Sequence, residues 1–335
     1  FFSSDGFKLP DDVELRIEEL IVSSEIEHLR PTASEIGKAY RIDDAEGRYI
    51  EFVKRSVPRE MDFQGLKVVL DCAHGAGYSV FPKVVRELGA EVVVLGDEPN
   101  GTNINAGFGA ICPERLQETV RRYSADIGIA LDGDADRAVF VHEQGGVVSG
   151  DEALAAFAFD LKNRGRLQKQ TVVGTVMSNF GFEAALKKAG ISLVRTPVGD
   201  RYILERMVAD GYSLGGEQSG HVIFLDYHTT GDGIISGLQM LKLAKRAARS
   251  LSDISQCVEA VPQVLLGVEV SHKPDLATLP ELQQAIRSCE MTLNETGRIL
   301  VRYSGTESLV RVMVEGQNDS QIREVAEKLV GVVKA

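Results

Sequence analysis

Three aspartates at alternate positions, Asp132, Asp134 and Asp136, stand in the stretch Leu131-Asp132-Gly133-Asp134-Ala135-Asp136-Arg137. Apolar runs flank it, Ile127-Gly128-Ile129-Ala130 before and Ala138-Val139-Phe140-Val141 after, so the carboxylates sit where one β-strand ends and the next begins. On a straight strand alternate side chains share a face but lie roughly 6.6 Å apart, too far for three of them to hold one small ion. Gly133, free to take positive φ, is expected to let the segment curl until the three converge. Like charges held that close repel, so the arrangement makes sense around a divalent cation. Oxygen-only ligands favour Mg²⁺ or Ca²⁺ over zinc. A solvated acidic turn and an EF-hand are the competing readings. Glu143 does stand at the twelfth position from Asp132, but Arg137 occupies the place of the sharp-turn glycine, and the flanks read as strands. A cation bonded to an acidic loop points instead to an anion shared by metal and guanidinium, such as a phosphate.

Two further stretches carry chemistry. In Gly215-Gly216-Glu217-Gln218-Ser219-Gly220-His221 the residues Glu217, Ser219 and His221 alternate. In an extended loop all three are expected to face one way, between glycines that permit close approach of a ligand. A carboxylate, a hydroxyl and an imidazole suit sugar hydroxyls or an amine; the alternative is a polar β-turn with a satisfied histidine. In Arg302-Tyr303-Ser304-Gly305-Thr306-Glu307-Ser308, followed by Arg311, hydroxyls, a glycine, backbone N–H groups and arginines form a phosphate cradle. There the alternative is a plain hairpin loop.

The elements that must position these loops follow from hydrophobic patterning. Asp11 onward, with Val13, Ile17, Leu20 and Ile21, reads as an amphipathic helix, and Asp44 to Val53 as another. From Leu66 the pattern becomes regular: a strand over Lys67 to Asp71, a glycine-rich turn at Ala73-His74-Gly75-Ala76-Gly77, a helix over Val80 to Leu88, a strand over Ala90 to Leu95, and a helix over Pro113 to Tyr123 that leads into the acidic loop. The turn lacks the third glycine of a dinucleotide fingerprint, and His74 reads as a turn or packing residue. The same grammar restarts after Gly150, with a helix over Glu152 to Lys162, strands over Thr171 to Met177 and Ser192 to Thr196, and a long helix over Gly231 to Arg249. Two copies of one α/β unit are expected. The remainder reads as a small α+β unit, with strands at Val264 to Val270, Ile299 to Tyr303 and Leu309 to Glu315 and helices at Leu279 to Leu293 and at the end.

The reading therefore divides the chain into residues 1–60, the remnant of a first domain with a linker, 61–148, an α/β domain with the metal loop, 149–253, an α/β domain with the sugar loop, and 254–335, an α+β domain with the phosphate loop. Of 335 residues, 44% are apolar and 26% charged, which suits a globular protein with buried cores. A net charge of −12 argues against nucleic acid or an anionic membrane as a partner, so a phosphate ester needs a locally basic pocket. Cys72, Cys112, Cys257 and Cys289 are widely spaced with no C-x-x-C pair, which implies reduced thiols and a cytoplasmic setting. No apolar run approaches the roughly 20 residues that span a bilayer.

Jointly, Asp132-Gly133-Asp134-Ala135-Asp136-Arg137, Gly216-Glu217-Gln218-Ser219-Gly220-His221 and Arg302-Tyr303-Ser304-Gly305-Thr306-Glu307 resemble the α-D-phosphohexomutase superfamily. Thr196-Pro197-Val198-Gly199-Asp200-Arg201 and Asp71-Cys72-Ala73-His74-Gly75-Ala76-Gly77 are similar to its glucosamine-phosphate branch. The resemblance implies repeated α/β domains around a cleft plus a small α+β C-terminal domain. It implies Mg²⁺ on Asp132, Asp134 and Asp136, Arg137 as the catalytic support of the migrating phosphoryl group, and Glu217, Ser219 and His221 on the sugar. Arg302, Ser304, Gly305, Thr306 and Arg311 are expected on the substrate's non-reacting phosphate. The implied reaction interconverts glucosamine 6-phosphate and glucosamine 1-phosphate through a bisphosphate, with glucosamine 1,6-bisphosphate or glucose 1,6-bisphosphate as activator. A hexosamine phosphate is the expected partner, and a homodimer is compatible with the reading.

Two departures accompany the resemblance. Ser308 stands where the family commonly has proline. The family's phosphoserine, in a Ser-His-Asn-Pro stretch, has no counterpart in these residues; it is expected upstream of Phe1, with this chain inactive alone. The alternatives are a phosphomannomutase/phosphoglucomutase and a non-catalytic phosphosugar-binding chain.

Overall fold

The computed structural model describes residues 1–294, 296–304 and 308–334. The chain starts with a short turn closed by a Phe2–Lys8 bridge, then helices α1 (Asp11–Val22) and α2 (Glu25–His28), neither of which buries a residue. Helix α3 (Ala45–Lys54) is different: Ile50 and Val53 on one face, with Val57 just beyond, are sealed into the core of the unit that follows. The spacing of those residues, three to four apart, is what gives the helix one apolar stripe.

That unit contains β1 (Lys67–Asp71), α4 (Val80–Glu87), β2 (Glu91–Leu95), α5 (Glu114–Tyr123), β3 (Ile127–Leu131), β4 (Ala138–His142) and β5 (Val147–Val148), the strands in the order β2-β1-β3-β4-β5. The first three strands run parallel and β4 returns antiparallel beside β3. Alternation splits the sheet's faces: Val68, Leu70, Ile127 and Ile129 join the large central core, whereas Val69 and Ala130 pack with Leu116 and Val120 of α5.

The pattern then recurs. It comprises α6 (Gly150–Asn163), β6 (Thr171–Thr175), α7 (Phe180–Lys188), β7 (Ser192–Thr196), α8 (Asp200–Asp210), β8 (Leu214–Gly216), β9 (Val222–Phe224), α9 (Gly233–Ala247) and α10 (Leu251–Ser255), with strand order β7-β6-β8-β9. Strands β1, β2, β3 and β4 thus correspond to β6, β7, β8 and β9. Ser149 starts α6 through a capping box with Glu152, each satisfying an amide the helix leaves free. A continuous core spans both units, since Phe140 and Phe81 of the first share it with Leu154, Phe157 and Leu238 of the second. Burying each such side chain contributes about 1.5–3 kcal/mol, so the two site loops are carried on one stiff body.

The C-terminal unit has its own core. Strands β10 (Gln263–Glu269), β11 (Gly297–Tyr303) and β12 (Leu309–Gly316) form an antiparallel sheet in the order β10-β12-β11, covered by α11 (Pro280–Leu293) and α12 (Asp319–Lys334). Val310, Val312 and Val314 of the middle strand pack on Ile322, Val325 and Leu329. Among the described residues no helix is long and apolar enough to cross a membrane.

Candidate active site

The acidic loop joins β3 to β4, and the Glu217 loop joins β8 to β9, so the two occupy equivalent places in the two α/β units. In the first, one oxygen from each of Asp132, Asp134 and Asp136 can be chosen so that all lie within 4.8 Å of one another. The curl that brings them together is not where the sequence suggests. Ala135, at φ 64°, is the left-handed residue, while Gly133 keeps ordinary φ. Gly133 answers to space instead: a Cβ there would lie 2.7 Å from Asn105 Nδ2 and 2.8 Å from Ile104 Cδ1. Backbone bonds fix the loop on several sides. Ala110 N–H donates to Leu131 O (2.9 Å), Ala76 N–H to Gly133 O (2.8 Å) and Gly233 N–H to Ala135 O (2.9 Å).

Electrostatics make this loop a place for a cation. Burial, reinforced by the neighbouring charges of Asp136 and Asp134, pushes the Asp132 carboxyl up to about 6, although the Arg137 N–H and guanidinium oppose the shift. Burial also raises Asp136, but His221, Arg137 and Lys8 outweigh it and hold this carboxyl below its usual range. Asp136 Oδ1 is buried and accepts no hydrogen bond. Three carboxylates, one oxygen of them orphaned, form a donor set that fits a hard divalent ion. Arg137 lies alongside, its Nε 3.7 Å from Asp132 and 3.6 Å from Asp136, with the side chain nearly half exposed. Glu143 is elsewhere, accepting from the Ser252 amide at the start of α10.

The Glu217 loop is a tight turn rather than an extended strand. Gly220 N–H donates to Glu217 O (3.1 Å), with Gly220 at φ 91°, and Glu217 N–H donates to His221 O (2.8 Å). The three alternating residues therefore do not share a face, correcting the expectation from their spacing. Glu217 accepts from the Gly199 amide (3.1 Å) and from the exposed Ser219 hydroxyl (3.2 Å), leaving both at the surface of the loop. His221, expected on the sugar, is 2% exposed. Its Nδ1 is 3.3 Å from Asp136 and its Nε2 is 3.7 Å from Asp200, so the imidazole stands behind the acidic loop, wedged against Gly231. Asp200 in turn pairs with Lys8 of the N-terminal turn.

In the C-terminal unit Arg302 and Arg311 are direct cross-strand partners on β11 and β12. Like charges directly opposite repel, an arrangement suited to an anion between them. The Arg302 guanidinium reaches toward Met177 Sδ (3.7 Å), after β6, so it leans toward the α/β units. Ser304 is buried: its N–H donates to Leu309 O (2.8 Å) and its carbonyl accepts from Lys273 Nζ (3.3 Å). Gly305 and Thr306, also expected on the phosphate, lie outside the described residues. The unit is seated by Arg298, which donates to Val176 O (2.9 Å) and Ser178 O (3.1 Å) while paired with the fully buried Glu315 (2.7 Å).

Sequence reasoning missed several supporting residues. Asn105 sits against Gly133, and Asp232 caps α9 beneath the acidic loop. Only the Gly231-Asp232-Gly233 pattern signalled the latter, as a capping aspartate between two glycines.

Comparison with known proteins places this arrangement. The phosphoglucomutase/phosphomannomutase family models match three consecutive stretches: alpha/beta/alpha domain II over residues 47–146, alpha/beta/alpha domain III over 149–261 and the C-terminal domain over 265–332. In fold the chain is like a phosphoglucomutase/phosphomannomutase family protein from Burkholderia thailandensis (TM-score 0.76, 21% identity, 98% of this chain and 70% of that one). It is also like Aspergillus fumigatus N-acetylphosphoglucosamine mutase, solved with GlcNAc-6P and magnesium (TM-score 0.68, 21% identity, 89% and 67%). In sequence it is 54% identical to the phosphoglucosamine mutase of Geobacter metallireducens, over 100% of this chain and 74% of that relative. It is 53% identical to that of Syntrophotalea carbinolica, over 100% and 73%. The chain belongs to the phosphoglucosamine mutase family, isomerases of the phosphohexomutase type.

Proposed function

We propose that the chain carries the metal, sugar and phosphate loops of a mutase that interconverts glucosamine 6-phosphate and glucosamine 1-phosphate through a bisphosphorylated sugar. The observation that carries the reading is the backbone bridge between Arg137 and His221, which joins the acidic loop and the Glu217 loop into one surface. Asp132, Asp134 and Asp136 would hold Mg²⁺, which when bound offsets negative charge on the migrating phosphoryl group. Arg137, nearly half exposed beside them, offers its guanidinium to the same group. Glu217 and Ser219 present a carboxylate and a hydroxyl to the sugar. Arg302 and Arg311, with Ser304, Gly305 and Thr306, would clamp the phosphate that does not react, fixing the sugar's orientation at a distance from the chemistry. Glucosamine 1,6-bisphosphate or glucose 1,6-bisphosphate serves as activator. The four cysteines, all unpaired, support a reducing cytoplasmic setting.

The test is ³¹P NMR of glucosamine 6-phosphate incubated with Mg²⁺, a trace of bisphosphate and the protein joined to a phosphoserine segment of the family's Ser-His-Asn-Pro type. Appearance of glucosamine 1-phosphate, abolished by a chelator, is expected. A spectrum that stays unchanged while the protein is folded overturns the proposal. The second reading is a mutase of neutral hexose phosphates, favoured by the breadth of the matching family models.

A further inference from the structure

The first turn of α9 lies beneath both site loops. A Cβ at Gly231 would meet the His221 ring at 2.3 Å, and one at Gly233 would meet Arg137 O at 2.5 Å and Leu131 Cδ2 at 2.7 Å. Between these glycines Asp232 is 7% exposed and spends both carboxylate oxygens. Oδ1 accepts from Ile235 N–H (2.9 Å), capping the helix, and Oδ2 accepts from the Tyr49 hydroxyl (2.7 Å). Tyr49 comes from α3, 183 residues away in sequence and anchored by its neighbours Ile50 and Val53 in the core. The amide immediately after Asp232, Gly233 N–H, is the one that donates to Ala135 O (2.9 Å). Ala135 is the residue at φ 64°, a conformation that a β-carbon disfavours and that surrounding contacts must enforce. It stands between Asp134 and Asp136, so its twist decides whether the carboxylates point to one place.

We propose that Tyr49 and Asp232 are positioning residues for the metal loop: they fix the first turn of α9, which holds Ala135 in its left-handed state and so keeps Asp132, Asp134 and Asp136 in one pocket. Neither residue touches the metal pocket. The helix end also presents its partial positive charge to the acidic loop, which steadies the carboxylates whether or not a cation is bound. The inference rests on reading the acidic loop as the metal site.

Tyr49→Phe and Asp232→Ala are compared with wild type by titration calorimetry with Mg²⁺ and by amide hydrogen exchange, each on folded protein. In Tyr49→Phe the loss of one buried hydrogen bond is expected to weaken Mg²⁺ binding roughly two- to tenfold, and exchange across residues 131–138 accelerates while β12 is unaffected. Asp232→Ala is expected to do more; should it fail to fold, Tyr49→Phe decides. Wild-type affinity and exchange in Tyr49→Phe, or a lowered melting temperature with affinity unchanged, overturns the proposal. Accelerated loop exchange in a protein whose wild type takes up no Mg²⁺ upholds the positioning and removes the metal reading instead.

Discussion

The backbone of Arg137 pairs with that of His221 in an isolated antiparallel bridge, and the next amide, Ala138 N–H, donates to Gly220 O at 3.1 Å. Each residue immediately precedes, or lies one step before, the antiparallel strand of its own α/β unit, β4 for Arg137 and β9 for His221. Two copies of one unit thus meet through the same loop of each. The carboxylates of one and the Glu217–Ser219 turn of the other are held in register by main chain, without dependence on any side chain's rotamer.

Gly220 is the residue that permits this. At φ 91°, with an added Cβ only 2.5 Å from Ala138 O, it tolerates no side chain. Gly220→Ala is expected to cost on the order of 1–3 kcal/mol in backbone strain and to weaken Mg²⁺ binding as the loops part. Calorimetric melting and a metal titration on the same sample check both; an unchanged melting temperature would show that the bridge is not needed to hold the units together.

Asp134 is the exposed member of the triad, so its loss should leave folding intact. Asp134→Ala is expected to weaken Mg²⁺ binding severely, because three hard oxygen ligands leave little redundancy. Titration calorimetry that returned the wild-type affinity would remove this loop from the metal site.

Arg302 is half-buried, reaching across to Met177, and belongs to none of the apolar cores. Arg302→Ala is expected to raise the KM for phosphosugar, losing about 1.5–3 kcal/mol of charge-assisted binding, with the melting temperature preserved. An unaltered KM would mean that the phosphate is held elsewhere.

Much of this was legible in the sequence because it is local. The β1, β3 and β12 runs and the spacing of the three aspartates all act over a few residues. What escaped is set by partners distant in the chain. Nothing near Gly133 announces that Asn105 crowds it or that Gly233 pins Ala135, so local sequence points to the glycine, the residue with the freer backbone, for a twist that Ala135 makes. Its alternation with Glu217 and Ser219 points His221 at a ligand only on an extended strand; the turn closed by Gly220 removes that alternation and sends the ring inward between Asp136 and Asp200.

A lysine within the core gives a pH signature. Lys242 is 1% exposed, donating to Gln239 and to Ser56 O (3.2 Å) over the ring of Tyr227, and burial pushes its ammonium down to about 7. Between that value and the usual lysine range near 10.5 the unfolded chain binds a proton that the folded protein does not, so stability rises with pH across this window. Below about 7 both states carry the proton and this dependence ends. Lys242→Met is expected to flatten denaturation midpoints across the same window. A slope identical to wild type would assign the dependence to other groups.

The most direct test of the central claim is the ratio of kcat/KM for glucosamine 6-phosphate to those for glucose 6-phosphate and mannose 6-phosphate, measured on the protein joined to the phosphoserine segment, at one Mg²⁺ concentration with the same bisphosphate activator. The account predicts a clear preference for the amino sugar. Equal or faster turnover of either neutral sugar phosphate would contradict it.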